Sequence, residues 1–152
     1  PYEHDDLHTV AYGVREHLPE TKFLYLSNGD DLRLWDDERR EKFAELIKQS
    51  TVFINASKIC QLGQLQLLNL AYETATANNI KNYTVINIGS TAELYSIEKN
   101  ALKERSRQLA NKEGFRSCHI TINNLNNVSG IGKTIKLVLD SDPFISNLKI
   151  EH

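Results

Sequence analysis

Short β-rich runs alternate with longer amphipathic stretches along this chain, which predicts strands joined by helices in a parallel sheet. Lys22–Ser27, Thr51–Ala56, Tyr83–Gly89 and Ser117–Asn123 are apolar or β-branched on both faces, as suits strands covered by helices from two sides. A weaker run, Asn147–His152, closes the chain. His8–Leu18 predicts a first helix. Asp36–Gln49 predicts another, with acidic residues in its first turn to suit the helix dipole and Phe43, Leu46 and Ile47 on one face. Leu62, Leu65, Leu68 and Tyr72 step at helical spacing through a segment that Asn78, Asn79 and Asn82 should end as turn formers. Glu93–Lys112 reads as a long charged helix closed by Gly114 near its C′ position, and Gly130–Leu139 as the last helix, stopped by Ser141-Asp142-Pro143. The expected fold class is therefore α/β: a three-layer sandwich around one sheet, in a single domain spanning 1–152.

Composition narrows the classes of partner. A formal net charge of −2 removes the electrostatic footprint of a nucleic-acid or anionic-membrane binder. No apolar run approaches the ~20 residues that span a bilayer. The two cysteines, Cys60 and Cys118, form no CxxC pair, and no histidine stands at metal-ligand spacing, so neither a disulfide framework nor a structural zinc site is expected. The expected setting is a reduced cytoplasm. The absence of Met fits a processed product or a fragment.

Candidate chemistry gathers after the strands, where ligands bind in doubly wound sheets. Asn55-Ala56-Ser57-Lys58 follows the Thr51 run, and Gly89-Ser90-Thr91 follows the Tyr83 run. Tyr95 and Lys99 then stand four residues apart, a spacing that on a helix puts a phenol and an ammonium on one face, about 6 Å apart along the axis. A nearby cation favours the phenolate and makes a tyrosine usable in proton transfer. A hydroxyl such as Ser90 could bond the same substrate oxygen.

These residues resemble the short-chain dehydrogenase/reductase family. NIGS (Asn87–Ser90) resembles the strand ending in its catalytic serine, YSIEK (Tyr95–Lys99) its Tyr-x-x-x-Lys motif, and INAS (Ile54–Ser57) its Asn-Asn-Ala-Gly segment. Asn69 falls in the helix where the family carries a catalytic asparagine, and the segment from Ile131 to His152 resembles its last helix and strand. The resemblance, covering about Thr51 to His152, implies a Rossmann-like doubly wound sheet and an oxidoreductase acting on a small carbonyl or alcohol with NAD or NADP. Under it Tyr95 is the general acid/base, Lys99 tunes it and holds the nicotinamide ribose, Ser90 fixes the substrate oxygen, and Asn69 holds a relay water. Asn55, Ala56 and Ser57 line the cofactor cleft. Asp30 and Asp31, after the second strand, would repel a 2′-phosphate and favour NAD. The family's first strand and Gly-rich pyrophosphate loop are not found here, and the five-residue spacing from Ser90 to Tyr95 implies a short substrate loop. The family's dimer or tetramer contact between the two central helices would use Leu62, Leu65, Tyr72, Leu102 and Leu109.

Two further readings stand beside this one. A degenerate, inactive domain could keep the sheet as a dimeric binding or structural module. A nucleotide site could use Gly130-Ile131-Gly132-Lys133-Thr134, although the first glycine of a P-loop would fall at Asn127. The plain reading of that segment is a glycine-containing helix start. The scattered histidines, His119 included, read as core or surface residues, Asp30–Glu38 as a solvated acidic loop, and Lys99, Lys103, Glu104 and Arg107 as a solvated helix face.

Overall fold

A computed structural model describes residues 14, 16–19, 36–56, 63–90, 96–122, 128–142 and 144–150. In chain order the elements are α1 (Asp37–Gln49), β1 (Val52–Asn55), α2 (Gly63–Ala77), β2 (Tyr83–Ser90), α3 (Ile97–Gln108), β3 (Asn111–Lys112), β4 (Phe115–Ile122), α4 (Val128–Asp140) and β5 (Asn147–Ile150). Strands β1, β2, β4 and β5 run parallel in that spatial order, with Asn55 beside Asn87 and Asn87 beside His119. Strand β3 is antiparallel to the first residues of β4, while β5 pairs with its last four, so the two share one edge of β4. The strand expected at Lys22–Ser27, and most of the helix expected at His8–Leu18, lie outside the described residues.

The termini of the helices follow their side chains. Asp36 caps α1 by accepting from the Arg39 N–H at 2.9 Å. Helix α2 ends in a Schellman arrangement: the Ile80 N–H bonds the Ala75 carbonyl at 2.9 Å and the Asn79 N–H bonds the Thr76 carbonyl at 3.2 Å. Asn79 takes the left-handed C′ position at φ 53°, and Ile80 packs on the core below.

Two apolar layers sandwich the sheet. On one face Phe43 and Ile47 of α1, Leu67, Leu68, Ala71 and Ala75 of α2, and Leu102 of α3 cover Tyr83, Val85 and Phe115. On the other, Ile131, Ile135 and Val138 of α4, together with Val14, cover Ile86, Ile88, Cys118, Ile120 and Ile122. Strands β2 and β4 are buried almost throughout because both faces are covered. This is a three-layer, Rossmann-like α/β sandwich on a parallel sheet. The Val14 segment is tied to α4 at a second point, where Ser129 Oγ donates to Glu16 Oε1 at 3.1 Å and is met by His17 Nε2 at 3.1 Å. No helix among the described residues is long and apolar enough to cross a membrane.

Three expectations need correcting. Helix α3 does not run from Glu93 to Lys112; it starts at Ile97, because Ser96 is an extended N-cap whose hydroxyl accepts from the Lys99 N–H, and it stops at Gln108. Gly114 is no helix cap. Glu113 and Gly114, at φ 53° and 86°, form the two-residue turn of a β3–β4 hairpin that pairs Lys112 with Phe115. Leu102 and Leu109, expected at an oligomer contact, are 1% and 0% exposed inside this chain's own core.

Candidate functional site

Side chains alternate across a strand, and the two sheet faces of this chain differ in polarity along their length. The α4 face is apolar through its centre, with Thr84 and Arg116 near its start and Ser90 at its end. The face under α2 and α3 begins apolar, with Phe53, Tyr83, Val85 and Phe115, then turns polar toward the carboxyl ends. There the residues in phase are Asn55 on β1, Asn87 on β2, and Ser117, His119 and Thr121 on β4, all at most 3% exposed. The sequence reading treated these strands as apolar on both faces. The missed signal was a polar residue recurring in phase, two positions apart, inside an apolar run.

Asn55, Asn87 and Ser117 of this set form a connected network with Ser106, Gln64 and Lys99. Asn55 Nδ2 donates to Asn87 Oδ1 at 2.9 Å and to the Gln64 carbonyl at 2.7 Å. Asn87 Nδ2 donates to Ser117 Oγ at 3.0 Å and to Ser106 Oγ of α3 at 3.1 Å, and the two serine hydroxyls meet at 2.7 Å. Gln64, in the first described turn of α2 and 2% exposed, points its Nε2 at the Asn55 and Ile88 carbonyls, at 2.9 and 2.8 Å. Its Oε1 accepts from Lys99 Nζ at 2.9 Å. Lys99 and Ser106 are seven residues apart, two turns along the same helix face, so α3 is docked through polar contacts at both points. Asn55 Oδ1 is buried with no hydrogen-bond partner among the described residues.

The expected site residues fall into three groups. Lys99 is brought to the carboxyl ends of β1 and β2, where Asn55 and Ala56 close β1. Its α3 neighbours behave as a solvated face, with Arg107 on Glu104 in an exposed ion pair, so Lys99 departs from the plain reading of that helix. Ser90, half-buried, is the last residue of β2 and is in phase with Ile86 and Ile88 of the α4 face. Asn69 is engaged elsewhere on α2: its Oδ1 accepts from Arg105 Nε at 2.7 Å, beside Tyr72, whose ring lies under Arg105 and Lys112. Tyr95, Ser57, Leu62, Asp30 and Asp31 lie outside the described residues. Gln64, Ser106 and Ser117 were missed by the sequence reading, because none carries a motif, a metal-ligand spacing or a titratable group of its own.

The remaining candidates resolve simply. Gly130 and Gly132 lie inside α4, where Thr134 Oγ1 donates to the Gly130 carbonyl at 2.8 Å. The described part of that segment is helix rather than an anion-cradling loop. His119 is a core histidine, 1% exposed. Cys118 is a buried free thiol, pushed up to about 12 by desolvation, and its thiolate is scarce near neutral pH. Among the described residues no three His, Cys, Asp or Glu side chains group as a metal site. Compared with protein-family models, curated proteins and solved structures, the chain finds no match.

Proposed function

We propose that this chain is a cytoplasmic carbonyl/alcohol oxidoreductase domain of the short-chain dehydrogenase/reductase type, using NAD or NADP, with Ser90, Tyr95 and Lys99 at its reacting centre. The observation that carries this reading is the inward Lys99. It occupies the third position of α3 after the Ser96 cap, where the helix dipole disfavours a cation by roughly 0.3–1 kcal/mol. Its ammonium nevertheless sits on a buried carboxamide at the polar end of the sheet. A lysine kept for solubility would lie in water on the outer face.

A nicotinamide dinucleotide suits this end of the sheet. Lys99 offers an ammonium donor, and Asn55 Oδ1 is an acceptor without a partner among the described residues. Lys99, Asn55, Ala56 and Ser57 would hold it, and when bound it supplies or accepts the hydride. Tyr95 would give or take the proton on the substrate oxygen, with the Lys99 charge favouring its phenolate. Ser90, at the tip of β2, would donate to that same oxygen. Asn69 would serve a proton relay through groups other than Oδ1, which Arg105 occupies.

A second reading, a dimeric binding or structural module, is favoured by that same Asn69–Arg105 bond, which commits the expected relay residue to the α2–α3 surface. Leu65 and Tyr72, both half-buried, are the described residues left to serve its contact. Fluorescence titration separates the two. The enzyme reading expects saturable enhancement of NADH or NADPH emission, and Tyr95→Phe that retains binding while lowering carbonyl reduction by about 10²–10⁴-fold. If neither nucleotide binds and the folded chain is a dimer, the module reading replaces it.

A further inference from the structure

Gln64 is placed as few glutamines are. Its carboxamide carries two donors and one acceptor oxygen. Both donors are spent on main-chain carbonyls of adjacent parallel strands, Asn55 at 2.9 Å and Ile88 at 2.8 Å. Those two bonds fix which way the amide faces, so Oε1 must turn toward α3, and it is this oxygen that takes Lys99 Nζ at 2.9 Å. The backbone of Gln64 is pinned too, since its carbonyl accepts from the buried Asn55 Nδ2 at 2.7 Å. Lys99 has the opposite character: a flexible four-carbon stem that loses much rotamer freedom when its end is held.

No other common side chain of this length performs both tasks. Glutamate accepts from the ammonium but has no donor for the two carbonyls, and Met offers neither group.

We propose that Gln64 is the positioning residue for Lys99, a carboxamide bridge that ties the ammonium to the carboxyl ends of β1 and β2. This rests on the redox reading for its purpose. Ile88, one of the bridge's two anchors, is two residues before Ser90 on the same strand, so the bridge references the Lys99 charge to the strand that carries the candidate hydroxyl. Neither Gln64 nor this linkage was among the residues that resemble the family's motifs. The bridge also accounts for why Lys99 turns to the sheet while Glu104 and Arg107 pair with each other at the surface.

The test is site-resolved acylation of lysines by limiting acetic anhydride at pH 8, read by peptide mass spectrometry, with exposed Lys42 of α1 as the internal reference. In the native protein Lys99 should be acetylated about tenfold more slowly than Lys42, since its ammonium is held on an acceptor. Gln64→Met should raise the Lys99 rate at least about threefold, toward that of Lys42. Gln64→Glu should keep Lys99 slow, because the carboxylate still holds the ammonium, although the two carbonyls lose their donors. A purely structural Gln64 would lower stability in both variants and leave the Lys99 rate unchanged. Acetylation of Lys99 at the Lys42 rate in the native protein overturns the proposal, as does undiminished protection in folded Gln64→Met. The native measurement decides even where a variant fails to fold. NADH and NADPH titrations are scored separately. Protection that depends on Gln64 without nucleotide binding removes the redox reading and supports the bridge, whereas nucleotide binding with an unprotected Lys99 removes the bridge alone.

Discussion

Asn87 shows how much of this fold can hang on one buried amide. It is 0% exposed, accepts from Asn55 and donates to Ser106 and Ser117, and so joins β1, β2, β4 and α3. Removing it leaves one of the two Asn55 Nδ2 protons without an acceptor and opens a gap among the strands and α3; each buried polar group left unsatisfied costs about 1–3 kcal/mol. Asn87→Ala should therefore lower unfolding free energy by about 3 kcal/mol in urea titration. Ser117→Ala should cost only about 1 kcal/mol, because Ser106 Oγ still accepts from Asn87 Nδ2. Equal losses for the two variants would show that the amide is not the hub. The same reasoning explains why Gln64 escaped the sequence reading, and why Asn87 entered it only as the first residue of NIGS with no role of its own, whereas Lys99 was given one. A buried amide has no motif of its own; its role exists only once strands and helices have met.

At the scale of elements, the parallel strands and α2 were legible because their signals are local: β-branched runs for β2 and β4, and an Asn-rich stop for α2 that the structure turns into a left-handed C′ residue. The charged stretch Glu93–Lys112 was not. Its helix-favouring residues continue smoothly across Ser96, yet the serine hydroxyl caps the backbone at that point, and tertiary pairing with Phe115 converts Asn111 and Lys112 to strand. The turn that permits this, Glu113-Gly114, lacks the Asn-Gly or Asp-Gly signature of such hairpins. Its two positions should respond oppositely to substitution. Gly114→Ala forces a side chain into φ 86°, with its Cβ 3.3 Å from Lys81 Cδ and 3.5 Å from the Asn82 amide nitrogen, and should cost about 1 kcal/mol. Glu113→Asn places a residue that tolerates the left-handed region at φ 53° and should add about 0.5 kcal/mol. Thermal melts read both. A stabilised Gly114→Ala would mean that the hairpin turn is not what sets β3.

Across the whole molecule, the sheet keeps one face apolar through its centre and one that grades from apolar to polar, and each face buries an acidic group held neutral. Tyr83, under α1, shares a 2.8 Å hydrogen bond with Ser50, whose Oγ also reaches the Leu46 carbonyl at 2.8 Å. Burial pushes Tyr83 up from 10.0 to about 12, partly offset by that bond, and pushes Cys118, under α4, up from 9.0 to about 12. In both cases the folded value lies above the ordinary one, so the unfolded chain releases its protons first as the pH climbs. Their contribution to stability is complete below about pH 9, and it is lost progressively as pH rises toward about 12. The melting temperature should hardly move between pH 7 and 8.5 on account of these two groups, then fall, with both layers of the sandwich loosening because one group lies in each. Cys118→Ala should flatten the fall that begins near pH 9, and Tyr83→Phe the part beginning near pH 10, the latter from a lower starting point by about 1 kcal/mol for the lost hydrogen bond. Identical alkaline slopes in the native protein and both variants would place the sensitivity in other groups and would mean that these two sites are open to water.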